Sequence, residues 1–245
     1  MSESRFDRTA DLYAEAARSK DWSAFVEWCR PQPGQRALDV GAGPGLLSGA
    51  LTGLVAEAVA LDPSRALLGH APAGVRAVVG DAEAMPFADA EFDLVTSVNS
   101  LHHVADLART LAEMARVLAP AGAIVVQDYL AHRDPQRAER WETVERLRDP
   151  GHRRLPREGE IAGLLSAHGL TLEAEMRWDS TWQVEPWLAI SATPPAQADE
   201  VRRMIGADSF RMTAWRARFA AGAVGGRSSR EGPRLARATR PGDGT

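Results

Sequence analysis

Hydrophobic and polar positions repeat with two different periods along the chain. In residues 5–30, Phe6, Leu12, Tyr13, Ala16 and Ala17 recur at approximate i, i+3/i+4 spacing, and Trp22, Phe25, Val26 and Cys29 repeat the pattern. That spacing predicts helix up to Pro31 and Pro33-Gly34. Short apolar runs then follow at 37–40, 55–61, 75–79, 92–98 and 123–129, and each reads as a strand. Between them, residues 46–54, 64–71 and 106–118 read as helices. The last has Leu107, Leu111, Met114 and Leu118 on one face and is closed by Pro120-Ala121-Gly122. Strand and helix alternate with short polar connections, which predicts a parallel sheet built from βαβ units. The strands are apolar almost throughout, as expected where helices cover both faces.

Beyond residue 130 the pattern thins. Residues 134–149 are charged, with Trp141, Val144 and Leu147 as a narrow apolar stripe, and Asp149-Pro150-Gly151 forms a turn. A helix over 157–169, a strand over 170–178, a helix over 186–205 interrupted at Pro194-Pro195, and a final strand at Phe210, Met212 and Ala214 are expected. From Gly222 onward Gly, Arg, Ser and Pro dominate, so 222–245 reads as a disordered tail.

Composition narrows the function classes. The 245 residues are 44% hydrophobic and 25% charged, as in globular domains. A net charge of −4 provides no positive field for a phosphate backbone, so nucleic acid is not an expected partner. The single cysteine, Cys29, excludes an internal disulfide and a thiolate-built zinc site, and no metal site is expected. Residues 1–5 are polar with no apolar stretch behind them, and no run of ~20 apolar residues occurs. Neither a secretory signal nor a membrane span is expected, and the cytoplasm is the default location. Lys20 is the one lysine among 29 basic residues, which reads as GC-rich codon usage.

The chemistry-bearing residues fall at four successive strand ends. The first loop reads Asp39-Val40-Gly41-Ala42-Gly43-Pro44-Gly45, where glycine permits a tight turn and close approach of a ligand. The dinucleotide pattern G-x-G-x-x-G would need its third glycine at position 46, where Leu46 stands, so an NAD-dependent dehydrogenase is disfavoured. Asp62 ends the second strand about 20 residues on, where doubly wound folds grip a ribose diol; the alternative is a helix cap after Pro63. Asp81 ends the third strand, where a carboxylate can accept from an exocyclic amine and the next N–H can serve a ring nitrogen. The alternative is turn chemistry after Gly80. Asn99 ends the fourth.

These segments, together with Leu61-Asp62-Pro63-Ser64, residues 80–87, Phe92-Asp93, Asn99-Ser100-Leu101-His102-His103-Val104 and residues 116–122, resemble the class I S-adenosylmethionine (SAM) dependent methyltransferases. The resemblance is to the small-molecule branch that includes ubiquinone and menaquinone methyltransferases, and it covers residues 5–130. It implies a Rossmann-like, doubly wound, seven-stranded and mostly parallel sheet, with SAM as cofactor and S-adenosylhomocysteine (SAH) as product. It implies that Asp39 and the backbone of Gly41, Ala42, Gly43 and Gly45 hold the methionine portion. Asp62 with Pro63 would take the ribose, Asp81 and the Ala82 N–H the adenine, and the Asn99 carbonyl the amino group. Phe6-Asp7-Arg8 and Tyr13 resemble the segment that folds over the cofactor, so residues 1–30 are expected to form a helical lid. Residues 31–221 then form the SAM-binding domain, with a substrate-covering insertion at about 131–157. Pro120-Ala121-Gly122 departs from the family's usual Pro-Gly-Gly.

The acceptor is a small molecule in this reading, methylated at O, N or C. His102 and His103 are the candidate bases, since histidine titrates near neutral pH; the alternative is that one packs in a helix interface. His152 and the arginines of 147–153 either bind an acidic or phenolic acceptor or form an ion-paired surface. Trp178, Trp182 and Trp187 either line a pocket or fill the core. Asn99-Ser100-Leu101 stands in place of Asn/Asp-Pro-Pro-Tyr, against amino methylation of bases or glutamine. Two other readings stay open: a SAM-binding cyclase or rearrangement enzyme, and a non-catalytic SAM-binding protein. Oligomeric state is not legible.

Overall fold

Parallel strands whose side chains are apolar on both faces need cover on both sides, and the chain supplies it in two helical layers. In the computed structural model, which describes residues 9–221, seven strands form one sheet in the order β3-β2-β1-β4-β5-β7-β6. The strands are β1 (Arg36–Val40), β2 (Glu57–Asp62), β3 (Val75–Val79), β4 (Phe92–Val98), β5 (Leu118–Tyr129), β6 (Leu170–Gln183) and β7 (Ser209–Ala221). β1 to β5 are parallel, and β7 runs antiparallel to both of its neighbours. The expectations for Phe6-Asp7-Arg8 and for the tail at 222–245 lie outside the described residues.

On one face, Phe25 and Cys29 of α2 (Ser23–Cys29) and Leu47 and Leu51 of α3 (Leu46–Leu51) pack on Ala37, Ala58, Leu94 and Val125. On the other, Leu111, Met114 and Val117 of α5 (Leu107–Val117) join Ile161 and Leu165 of α7 (Glu160–Ala167) over Leu38, Val40, Val59, Val95 and Ile124. Neighbouring strand residues such as Ala37 and Leu38 thus enter opposite cores, as the two-residue strand period requires. A third, smaller core joins α6 (Pro135–Arg148), α8 (Val184–Ile190) and α9 (Pro195–Ile205) through Val144, Trp187 and Val201.

Local chemistry sets several boundaries. The helical region expected over 5–30 divides into α1 (Ala10–Arg18) and α2 because Asp21 accepts both the Ser23 N–H and its hydroxyl, each at 2.9 Å. Ser64 caps the short α4 (Arg65–Leu68), and Asp106 and Asp134 cap α5 and α6. The 186–205 region is two helices, with Pro195 opening the second. β5 begins five residues before the expected strand, at Leu118, and carries Pro120-Ala121-Gly122 as an irregularity: pairing jumps from Phe92↔Leu118 to Leu94↔Ala123. β7 is longer than its apolar pattern suggests because long-range contacts satisfy its arginines. Arg216 donates to Gln127 and the Ala24 carbonyl, and Arg218 to Glu173 and the Cys29 carbonyl. No described helix is long and apolar enough to cross a membrane.

The parallel register brings the carboxyl ends of β1, β2, β3 and β4 to a common edge: Asp39 lies opposite Ala60 and Thr96, and Asp62 opposite Val79. Gly41, in the left-handed region at φ 67°, is packed tightly against the end of β4. A Cβ there would lie 2.5 Å from both Cβ and Oγ of Ser100. That hydroxyl is held by the Val40 carbonyl at 3.1 Å and by Ser97 at 2.7 Å, so it does not yield easily. Gly41→Ala is therefore expected to cost about 1–3 kcal/mol in urea unfolding, with part recovered when Ser100→Gly is added. Unchanged stability of the single variant would disprove the close approach.

Candidate active site

A cavity of about 440 Å³ opens at the shared strand edge. Tyr13 of α1, Asp39, the loop residues Gly41, Ala42 and Gly43, Asp62 and Pro63 line it. Asp81, Ala82 and Asn99 line it from the ends of β3 and β4. The four strand-end loops singled out in the sequence therefore meet at one hollow. Gly45 and His102 do not line it. A Cβ on Gly45 would touch Ala71 at 3.2 Å, and its φ of 67° turns the chain into α3, so this glycine serves packing and helix entry.

Hydrogen bonding decides what the glycine loop can offer. The N–H groups of Gly41 and Ala42 both donate to the Leu61 carbonyl, at 2.9 and 3.0 Å. The Gly43 N–H donates to Asp62 Oδ2 at 2.8 Å, while Asp62 Oδ1 accepts the Ser64 N–H at 2.8 Å. Ser64 is the cap of α4, so Asp62 is not. With the N–H groups of Gly41, Ala42 and Gly43 spent inside the protein, the loop offers a ligand few donors, and the walls add the carboxylates of Asp39, Asp62 and Asp81. Such a lining suits a ligand rich in donors and positive charge. Gly43, at φ 55°, meets only the Tyr13 ring, 3.7 Å from a built Cβ; a side chain there would fill the gap between loop and α1.

Asp39 is buried, with Thr96 Oγ1 donating at 2.9 Å and Ser48 Oγ at 3.3 Å. Burial pushes its carboxyl up to about 7, against the pull of those two hydroxyls and with help from the nearby Asp62 charge. Asp81 is exposed and accepts the Glu83 N–H at 2.9 Å, so it takes part in a turn as well as lining the hollow. Asn99 adopts φ 53°, a conformation asparagine tolerates better than most residues, and its N–H donates to the Gln127 carbonyl at 2.8 Å.

His103 also lines the cavity, on the 3₁₀ turn Leu101–His103. Behind it sits a buried network that sequence spacing did not reveal. His102 Nδ1 lies 2.6 Å from Asp128 Oδ1, and His152 Nε2 lies 2.7 Å from Glu142 Oε2. The ring of His102 is 4.1 Å from that of His103 and 5.6 Å from that of His152. Burial disfavours a charged His102 ring, but the Asp128 charge and hydrogen bond outweigh it and hold the ring above the usual histidine range. Burial, reinforced by the His102 charge, pushes His103 well below that range, against a hydrogen bond with the Gly151 backbone. Glu142 is held low because His152 and the Leu155 N–H outweigh its burial.

The 147–153 segment divides between the two roles considered for it. Arg148 is buried in an ion pair with Glu145 and His152 in a hydrogen bond with Glu142, whereas Gly151 and Arg153 line the cavity. The three tryptophans do not meet: Trp178 stacks beside Arg216, Trp182 against Tyr129, and Trp187 in the third core with Trp141 and Phe210. None lines the cavity.

Comparison with known proteins agrees with this chemistry. A methyltransferase domain family matches residues 38–126. The methyltransferase YcgJ of Bacillus subtilis is 29% identical over 83% of this chain and 84% of its own. Its crystal structure superposes with a TM-score of 0.76 at 25% identity, over 80% of this chain and 96% of that one. A malonyl-[acyl-carrier protein] O-methyltransferase of Pseudescherichia vulneris is 31% identical over 74% of this chain and 69% of its own. A demethylmenaquinone methyltransferase of Renibacterium salmoninarum is 37% identical, and there the match spans 51% of this chain and about half, 54%, of the relative. The strand-end acids and the acceptor-rich loop fit SAM, whose ammonium, sulfonium, ribose hydroxyls and adenine amine are the complementary groups. The chain belongs to the class I SAM-dependent methyltransferases.

Proposed function

We propose that the protein transfers the methyl group of SAM to a small-molecule acceptor in a biosynthetic reaction. The observation that carries this reading is that His103 and Gly151 share one hollow with Asp39, Asp62 and Asp81, which puts a candidate base and the strand-end acids in one site. The names of two relatives, a demethylmenaquinone and a malonyl-[acyl-carrier protein] methyltransferase, support acceptors of quinol or acyl type.

When bound, SAM supplies a methyl group already activated by its sulfonium. Asp39 and the carbonyls of the glycine loop hold the amino acid end, with the Asn99 carbonyl. Asp62 accepts from the ribose hydroxyls, and Asp81 and the Ala82 N–H read the adenine. Tyr13 covers the loop from α1 and excludes water. The segment around Gly151 covers the acceptor, which is thereby aligned for in-line attack; alignment of this kind can supply ~7–11 kcal/mol of the barrier. His103, neutral at physiological pH, takes the proton of an acceptor hydroxyl as the new bond to carbon forms. His102 acts through His103: held by Asp128, it fixes the neighbouring ring and keeps it neutral by its own charge.

Two outcomes follow. Deuteromethyl-SAM incubated with the protein and a bacterial metabolite extract is expected to yield a labelled small molecule and SAH in equal amounts. His103→Gln should slow this about 10²–10⁴-fold with little change in SAH affinity. Label found only in macromolecules would contradict the acceptor class, and product without SAH would favour a cyclase. The second outcome concerns Asp39, whose carboxyl sits at about 7. Below that value it is protonated and must release its proton to receive the ammonium of SAH; above it the carboxylate is ready. Affinity should therefore weaken as pH falls through about 7, with proton release visible by calorimetry in two buffers. Asp39→Asn should abolish the release, and a release unchanged in that variant would remove Asp39 from the role.

A further inference from the structure

Two cations, Lys20 and Arg153, line a cavity otherwise rich in acids. Arg153 is the one tied to the acceptor side. Its N–H donates to the His102 carbonyl at 2.9 Å, and the Arg154 N–H reaches the same oxygen at 3.3 Å. The stretch is clamped again where Asp149 accepts the Gly151 N–H at 2.8 Å and Glu142 accepts the Leu155 N–H at 2.9 Å. The root of the Arg153 side chain is thereby fixed beside His103.

The flanking arginines are satisfied within the protein. Arg148 pairs with Glu145 at 2.9 Å, and Arg154 with Glu160 at 2.8 Å. Arg153 is exposed and lines the hollow, and its guanidinium has no hydrogen bond or ion pair among the described residues. Asp39, Asp62 and Asp81 stand at the ends of β1, β2 and β3, and the fourth acid of the hollow, Glu83, accepts the N–H groups of Ala105 and Asp106. Lys20 lies on the α1–α2 connection over the Trp22 ring, which also lines the hollow, and its backbone N–H donates to the Ala17 carbonyl at 3.2 Å.

Resting on the methyltransferase reading above, we propose that the acceptor is a small carboxylate-bearing molecule, its carboxylate met by Arg153 while its nucleophilic atom faces His103. A guanidinium presents a planar fork that matches a carboxylate. A phosphate dianion is the poorer match, since the loop N–H groups that would help hold it are spent. An acceptor carboxylate would give this guanidinium the anionic partner that Arg148 and Arg154 find in Glu145 and Glu160.

The test uses two matched pairs of probes on SAH-loaded protein. These are 4-hydroxybenzoate against 4-hydroxybenzamide, and 3-hydroxybutanoate against 3-hydroxybutanamide, followed by saturation-transfer NMR. In at least one pair the acid should bind about tenfold tighter than its amide, equivalent to ~1.4 kcal/mol. Arg153→Gln should bring the acid down to the amide's level, Arg153→Lys should keep part of the preference, and SAH affinity should stay within about twofold. Neither acid binding better than its amide, or a preference that survives Arg153→Gln, would overturn the proposal. So would loss of SAH affinity in that variant, which would assign the guanidinium to the cofactor. Failure of the methyltransferase reading would show differently, as native protein that takes up no SAH.

Discussion

The hydrogen bond from the Gly43 N–H to Asp62 is the constraint on which the site depends. It ties the loop after β1 to the end of β2 and removes the donor that a phosphate would use. Together with the two N–H groups bound by Leu61, it leaves the loop between Gly41 and Gly43 without a free donor for a ligand. The same carboxylate keeps accepting capacity for hydroxyl groups, since each ionised oxygen can take more than one donor. Loop shape and ligand preference are thus consequences of one buried acid.

Burial then divides the hollow into two chemical ends. At the strand-end side it raises the Asp39 carboxyl to about 7, so a cation bound beside it would favour the charged form. At the histidine side it lowers His103 while the Asp128 carboxylate sustains the charge of His102. Two adjacent imidazoles are pushed apart in proton affinity by burial of His103 and by a carboxylate that touches only His102. The ring that burial keeps neutral lines the cavity and the other does not.

The nucleotide-binding half was readable because its signals are local. Apolar runs of β1 to β5, the spacing of Gly41 and Gly43, and acids at strand ends all lie within a few residues of the feature they specify. Ser100 against Gly41, Asp128 under His102 and Glu142 on His152 were not readable, since each contact joins segments that only the folded sheet brings together. The same holds for β7, where Arg211, Arg216 and Arg218 make an interior strand look polar. Gln127, Glu173 and backbone carbonyls of α2 satisfy the last two across the sheet. Gly45 shows the converse limit: a motif position can be a glycine for packing against Ala71 while its neighbours face the ligand.

The acceptor-rich character of the loop is tested most directly by calorimetric titration of the full chain with SAH and, separately, with NADH. Saturable uptake of one SAH per chain, with no heat from NADH at the same concentrations, is the expected result. Tight NADH binding, or no uptake of SAH, would contradict it.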